Sequence, residues 1–113
     1  MRLYLAGPYS CDDPLIREQN VERAMQAGLG LLQAGHAPVI PHLNHFFDQW
    51  VTTQGTTISY EQYLHWDAAL LEVSDGLVWL GSSPGADREL ELAVRLGKPV
   101  YSCFSGDVPG GPG

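Results

Sequence analysis

Short apolar runs alternate with longer segments of helical periodicity along this chain. The apolar runs have the length of buried strands and lie at residues 3–6, 37–40, 76–80 and 99–104. The periodic segments predict helices at residues 14–34, 60–74 and 84–96. Strands that alternate with helices favour a parallel sheet with right-handed crossovers. We therefore expect an α/β fold, a three-layer flavodoxin- or Rossmann-like sandwich whose small parallel sheet has the strand order 2-1-3-4.

Local signals mark where the predicted helices begin. Asp13 before Pro14 and Ser83 before Pro84 are each typical of an N-cap followed by proline in the first turn, and Ser59 begins a capping box. Residues 42–57 show no such signal and no clean periodicity, and they mix histidines with aromatic residues. We interpret them as a functional loop that contains about one helical turn.

Length and charge narrow the class of protein. The chain has 113 residues, and we expect one domain over residues 1–104 followed by a flexible glycine- and proline-rich tail at 105–113. The formal charge of −7 disfavours binding to a nucleic-acid polymer. The two cysteines form no CxxC pair, and no apolar run reaches the ~18 residues of a membrane span. These features predict a cytoplasmic protein that does not bind membranes.

The expected strand order places a crevice between the first and third strands. In parallel sheets, ligands bind outside the carboxyl ends of the strands, where the strand order reverses. The turns at residues 7–10 and 81–89 follow these two strands, and Tyr63 and Asp67 lie one turn apart on the helix before the third strand. Free N–H groups at the start of the last helix, around Gly85, favour an anion or a polar ligand.

The motifs that are absent and the side chains that are present limit the reactions that this crevice could catalyse. No GxSxG, GxGxxG or P-loop motif is present, so acyl transfer and the common nucleotide folds are poorly supported. His42, His45 and Asp48 leave a metal hydrolase as an alternative, but they have no paired ligand set elsewhere, and we expect no metal and no cofactor. The remaining groups include two carboxylates, Glu89 and Asp67, a combination that suits cleavage of a glycosidic bond.

Three segments resemble the nucleoside 2-deoxyribosyltransferase family and its nucleoside 5′-monophosphate N-glycosidase relatives. They are YLAGPY at residues 4–9, YLHWD at 63–67 and SPGADRELELA at 83–93. The resemblance implies that Glu89 is the nucleophile, that Asp67 helps to protonate the base and that Tyr4 positions the nucleophile. The substrate is then expected to contact Gly7, Pro8, Tyr9, Ser10, His42, Tyr63, Ser83, Gly85 and Ala86.

The resemblance also bears on the substrate. Ser83 stands where the transferases carry aspartate, which is more like the monophosphate-cleaving relatives and favours a nucleotide. The expected activity is cleavage of the N-glycosidic bond of a (deoxy)nucleoside or its 5′-monophosphate, by hydrolysis or by transfer of the 2-deoxyribosyl group. A non-catalytic module that senses a nucleotide with the same pocket is the alternative. The resemblance further implies a homodimer or a higher homo-oligomer.

Overall fold

The computed structural model describes residues 1–102. Its elements are β1 (Arg2–Ala6), α1 (Pro14–Gln33), β2 (Ala37–Val39), a 3₁₀ turn (Pro41–Leu43), α2 (Asn44–Thr53), α3 (Tyr60–Glu72), β3 (Gly76–Trp79), α4 (Pro84–Arg95) and β4 (Val100–Ser102). The expected domain end at residue 104, the tail at 105–113 and the last two residues of the predicted fourth strand lie outside the described residues. Within residues 1–102, no helix has both the length and the apolar character needed to cross a membrane.

The four strands form one parallel sheet in the order β2-β1-β3-β4. This confirms the predicted fold class and the predicted strand order. The central pair, β1 and β3, is aligned from Leu3 opposite Gly76 to Ala6 opposite Trp79. Both strands therefore end at the same level, and the strand order reverses between them.

The two faces of the sheet bury separate hydrophobic cores, because side chains alternate along each strand. One face packs against α1 through Leu3, Leu5, Ala24, Leu31, Val78 and Leu80. The other face packs against α3 and α4 through Tyr4, Ala6, Leu71, Leu77, Ala86 and Ala93. The result is the predicted three-layer sandwich, and Tyr4 lies on the same side of the sheet as α3 and α4.

The predicted helix starts carry the expected caps. The Asp13 carboxylate accepts the N–H of Leu15 at 2.9 Å. Ser59 and Gln62 form a reciprocal capping box, in which the N–H of Gln62 donates to the Ser59 hydroxyl and the N–H of Ser59 donates to the Gln62 amide. Side-chain caps of this kind stabilise a helix by about 1 kcal/mol each.

The prediction of a loop over residues 42–57 is wrong. This stretch contains the 3₁₀ turn and the ten-residue helix α2. The helix is hard to recognise because Phe46 and Trp50 are exposed, whereas the polar His45 is buried. Its N-cap residue is Leu43, which has no polar side chain to signal a helix start. The hydrophobic pattern therefore does not follow the buried face of α2.

Candidate functional site

A cavity of about 540 Å³ lies at the carboxyl ends of β1 and β3, between the 3₁₀ turn, α2, α3 and the start of α4. All but two of the predicted site residues line it, namely Gly7, Tyr9, Ser10, His42, Tyr63, Asp67, Ser83, Gly85, Ala86 and Glu89. The two exceptions are Tyr4, which is fully buried in β1, and Pro8, whose ring lies beside Gly81. The structure thus brings together residues that are far apart in the chain.

Close contact between two turns shapes the floor of this cavity. The N–H of Leu80, at the end of β3, donates to the carbonyl of Ala6 at 2.8 Å. A Cβ atom on Gly7 would lie only 2.6 Å from the Cβ of Leu80. Because a side chain at position 7 has no room, glycine allows the turn after β1 to lie directly against the end of β3. This contact places the residues after β1 next to the residues after β3, so that both groups line the same cavity.

Two carboxyls of the cavity, Glu89 and Asp67, have raised pKa values. Burial raises the pKa of Glu89 to about 7, with a further rise from the charge of Asp67 and an opposing decrease from the Tyr4 hydroxyl. Burial also raises the pKa of Asp67 to about 6. The two carboxyls therefore change protonation state close to neutral pH, as acid–base catalysis requires.

Tyr4 lies close to Glu89. Its hydroxyl and Glu89 Oε2 are both buried, and neither has a partner in a hydrogen bond of standard geometry among residues 1–102. The hydroxyl is nevertheless close enough to lower the pKa of Glu89. Burial, followed by the charges of Glu89 and Asp67, strongly raises the pKa of Tyr4. The tyrosine therefore stays protonated and can donate a hydrogen bond to Glu89.

Helix α2 supplies two polar residues that face α3. Asn44 Nδ2 donates to Asp67 Oδ1 at 3.4 Å, and the Tyr63 hydroxyl donates to Asp48 Oδ1 at 2.7 Å. Burial and the contact with Asp48 raise the pKa of Tyr63 to about 12. Asn44 and Asp48 are four residues apart, as are Tyr63 and Asp67, so the contacts form two rungs between the helices.

The histidines of this region hold the first turn in place. His42 Nε2 lies 3.2 Å from the carbonyl of Gly7, which can only accept, so Nε2 carries the proton. Burial lowers the pKa of His42, which keeps the ring neutral. His45 contacts the Tyr9 hydroxyl through Nδ1 at 3.0 Å and Gln49 through Nε2 at 3.2 Å.

The metal-hydrolase alternative has no support in this geometry. Both ring nitrogens of His45 already have partners, and Asp48 is bonded to Tyr63. In the part of the chain that the structure describes, no group of three or more histidine, cysteine, aspartate or glutamate side chains could hold a metal ion.

The cavity has a negative lining. Its carboxylates are Asp48, Asp67 and Glu89, and the described residues that line it include no lysine and no arginine. Arg17, near the turn after β1, donates its Nε–H to the backbone carbonyl of Cys11 at 3.1 Å. Ser83 accepts the N–H of Ala86 at 3.1 Å and so caps its own helix. The electrostatics of the cavity therefore favour neutral or cationic groups.

Part of the lining was not assigned to the site from the sequence. These residues are Pro41, Asn44, Asp48, Ile58, Tyr60, Leu64 and Pro84. Asn44 was not recognised, and Asp48 was considered only as a metal ligand, because residues 42–57 were interpreted as a loop, in which a spacing of four residues has no meaning. Leu64 follows Tyr63 on α3, and Pro84 follows Ser83, so both could have been found as neighbours of predicted site residues.

Comparison with known proteins supports the fold at the level of structure. No protein-family model matches the chain, and no curated protein matches it in sequence. Among solved structures, it is similar to a 2-deoxyribosyltransferase from the psychrotolerant bacterium Bacillus psychrosaccharolyticus, a biocatalyst for the synthesis of antiviral and antitumoral nucleosides. The TM-score is 0.60 and the sequence identity 23%, over 90% of this chain and 71% of the other. The chain therefore has the fold of a 2-deoxyribosyltransferase, in agreement with the resemblance seen in its motifs.

Proposed function

We propose that this protein cleaves the N-glycosidic bond of a nucleoside or a nucleoside 5′-monophosphate, with Glu89 as the nucleophile. The observation that carries the proposal is the pair of carboxyls, Glu89 and Asp67, in one cavity with pKa values of about 7 and about 6. Tyr4 beside Glu89 gives this carboxylate a donor that stays protonated. The fold shared with a 2-deoxyribosyltransferase supports the same reaction class.

In the proposed reaction, a carboxylate oxygen of Glu89 forms a bond to C1′ as the bond between C1′ and the base nitrogen breaks. The electron pair of the broken bond goes to the base, which takes a proton from Asp67. Water then attacks C1′ and releases the sugar from Glu89, with ionised Asp67 accepting a proton. A second base in place of water would give transfer instead of hydrolysis. Covalent catalysis of this kind replaces one difficult step by two easier ones.

The protonation states of Glu89 and Asp67 determine the fraction of the protein that can carry out the proposed reaction. Attack requires Glu89 as carboxylate and Asp67 as acid. When the pair holds one proton, the pKa values of about 7 and about 6 favour that proton on Glu89 by about tenfold. About one tenth of the singly protonated protein then has the reactive arrangement. A hydrogen bond from Tyr4 that shortens as substrate excludes water would increase this fraction.

Two observations point to different charges on the substrate. Ser83 resembles the residue of the monophosphate-cleaving relatives and supports a nucleotide. The negative lining without lysine or arginine among the described residues supports a neutral nucleoside. A comparison of each nucleoside with its 5′-monophosphate decides between them.

The test is to incubate the protein with ribo- and 2′-deoxyribonucleosides and their 5′-monophosphates, and to measure free base by chromatography. A second base in the mixture detects transfer. We expect base release that is lost in Glu89→Gln and retained in Glu91→Gln, since Glu91 is exposed on the same helix. Binding of a nucleotide without any base release would instead support the non-catalytic sensor. Release by Glu89→Gln at the wild-type rate would exclude Glu89 as the nucleophile.

We also propose that the protein is a homodimer located in the cytoplasm. Exposed aromatic side chains on α2 and α3, namely Phe46, Phe47, Trp50 and Trp66, support a self-association surface. Light scattering coupled to size-exclusion chromatography measures the mass in solution. A mass equal to that of one chain at micromolar concentration would exclude the dimer.

A further inference from the structure

The α2 side of the cavity presents hydrogen-bond acceptors. The Tyr63 hydroxyl donates its only proton to Asp48 Oδ1 at 2.7 Å, so its oxygen can offer a ligand only lone pairs. The Asp48 carboxylate has no proton to donate and keeps acceptor positions beyond the one that Tyr63 uses. Both residues line the cavity. A ligand group at this position is therefore best matched by N–H donors.

The neighbouring side chains preserve this acceptor character. The Tyr9 hydroxyl is bonded to His45 Nδ1. Burial raises the pKa of Tyr9, the charge of Arg17 lowers it, and the charge of Asp48 raises it. Asn44 directs an amide N–H to Asp67. Among the described residues of the lining, no lysine or arginine side chain offsets the charge of Asp48. A carbonyl oxygen placed against Asp48 and Tyr63 would face lone pairs.

The order of groups along the cavity determines which part of a substrate reaches this position. Glu89 lies beside Tyr4 and interacts with the charge of Asp67. Asp67 is one helical turn from Tyr63, which contacts Asp48. If C1′ lies at Glu89 and the glycosidic nitrogen at Asp67, the base extends towards Tyr63 and Asp48. Its far edge then meets the acceptors.

We propose that Asp48 and Tyr63 form a subsite for an exocyclic amino group and thereby select adenine or cytosine over their keto counterparts, hypoxanthine and uracil. This inference rests on the proposed function, because that function places the base. An amino group donates to Asp48, whereas a keto oxygen at the same position meets the lone pairs of Asp48 and Tyr63 and leaves the remaining acceptor positions unfilled. Sites built to bind a donor discriminate strongly against analogues that lack it, and we expect a preference of about tenfold or more.

The test measures binding and base release on matched pairs. Binding of free adenine and hypoxanthine, and of cytosine and uracil, is followed by calorimetry and by the fluorescence of Trp66. The Trp66 ring stacks on that of Tyr63 with centroids 6.3 Å apart. Base release is measured on the four corresponding 2′-deoxynucleosides. The wild type is expected to favour the amino member of each pair in both measurements.

Two variants test which residue causes the preference for amino bases. Asp48→Asn keeps the shape and offers both a donor and an acceptor, so the preference is expected to fall to about twofold or less. Tyr63→Phe keeps the Asp48 carboxylate and is expected to keep a preference for the amino base. Should Asp48→Asn fail to fold, the wild-type ratios together with Tyr63→Phe still test the subsite.

The outcomes separate this inference from the proposed function. Equal binding of amino and keto bases, binding of none of them, or an unchanged ratio in folded Asp48→Asn would overturn the subsite. Equal base release from amino and keto nucleosides would overturn it while leaving glycosidic cleavage intact. Selective binding of amino bases without any release would support the subsite and overturn the cleavage.

Discussion

Replacing Glu89 by glutamine is expected to stabilise the protein above neutral pH while it abolishes base release. Glutamine has the shape of the protonated carboxyl and carries no charge. The pKa of Glu89 is raised from 4.5 to about 7, mainly by burial. Above neutral pH, the folded protein therefore contains an ionised Glu89 carboxylate that is partly removed from water. The same carboxylate has a lower free energy in the unfolded chain, where water solvates it.

The sign and the magnitude follow from this pKa. Below about pH 4.5 the carboxyl is protonated in both states, and its ionisation does not affect stability. Between about pH 4.5 and 7 the unfolded chain releases the proton that the folded state keeps, so the free energy of unfolding decreases as pH rises. A rise of about 2.5 pKa units corresponds to about 3 kcal/mol. Glu89→Gln should recover this amount at pH 8, or roughly 13 °C in Tm.

The assay is thermal and urea unfolding of the wild type, Glu89→Gln and Glu91→Gln at pH 4.5 and pH 8. The exposed Glu91 is the matched control and should change the free energy of unfolding by at most about 0.5 kcal/mol at either pH. Base release by Glu89→Gln should fall about a thousandfold or more if this carboxylate is the nucleophile. Equal free energies of unfolding for Glu89→Gln and the wild type at pH 8 would refute the conclusion that the ionised Glu89 carboxylate destabilises the folded protein.

The other predictions concern pH dependence and the residues around the carboxyl pair. The pH profile of kcat/KM should be bell-shaped with a maximum near about pH 6.5, because release needs ionised Glu89 and protonated Asp67; a plateau from pH 5 to 9 would contradict this. Tyr4→Phe should raise the pKa of Glu89, which moves the basic limb of that profile to higher pH and lowers its maximum, because more of the singly protonated pair then carries its proton on Glu89; a profile identical to that of the wild type would leave Tyr4 as a core residue only. Asn44→Ala should lower kcat about tenfold with little change in KM, since it frees the Asp67 carboxyl to rotate; steady-state kinetics separates this from a change in KM alone. Ser83→Ala should lower the free energy of unfolding by about 1 kcal/mol through loss of the N-cap bond to Ala86, and urea unfolding that shows no change would contradict the cap.

The fold could be predicted from the sequence because its signals are local and consistent. The runs at β1 and β3 end in glycine turns, Asp13 and Ser83 cap the helices that follow them, and Ser59 caps α3. Because strands and helices alternate and the crossovers between parallel strands are right-handed, only a few sheet topologies are possible for this chain. Most of the predicted site residues line one cavity because residues at the carboxyl ends of neighbouring parallel strands necessarily meet.

Helix α2 shows what such signals miss. Its inward face carries Asn44 and Asp48, whose partners, Asp67 and Tyr63, lie on another helix. Polar residues on the half-buried face of a helix weaken the apolar period by which the helix is recognised, and only their contacts with α3 explain why they face inwards. The negative charge of the lining likewise depends on which acids point inwards, whereas composition reports only their total.

The pairing of β1 with β3 also has a consequence for synthesis and folding of the chain. Leu3 pairs with Gly76 and Ala6 with Trp79, so the central ladder joins segments more than seventy residues apart. Tyr4 meets Glu89 only after this long loop has closed, which is among the slower events in folding. A growing chain therefore passes through most of its translation with Tyr4 already made and before Glu89, the proposed nucleophile, has been added. The contact between Tyr4 and Glu89 on which the proposed reaction depends thus cannot form before the sheet is assembled.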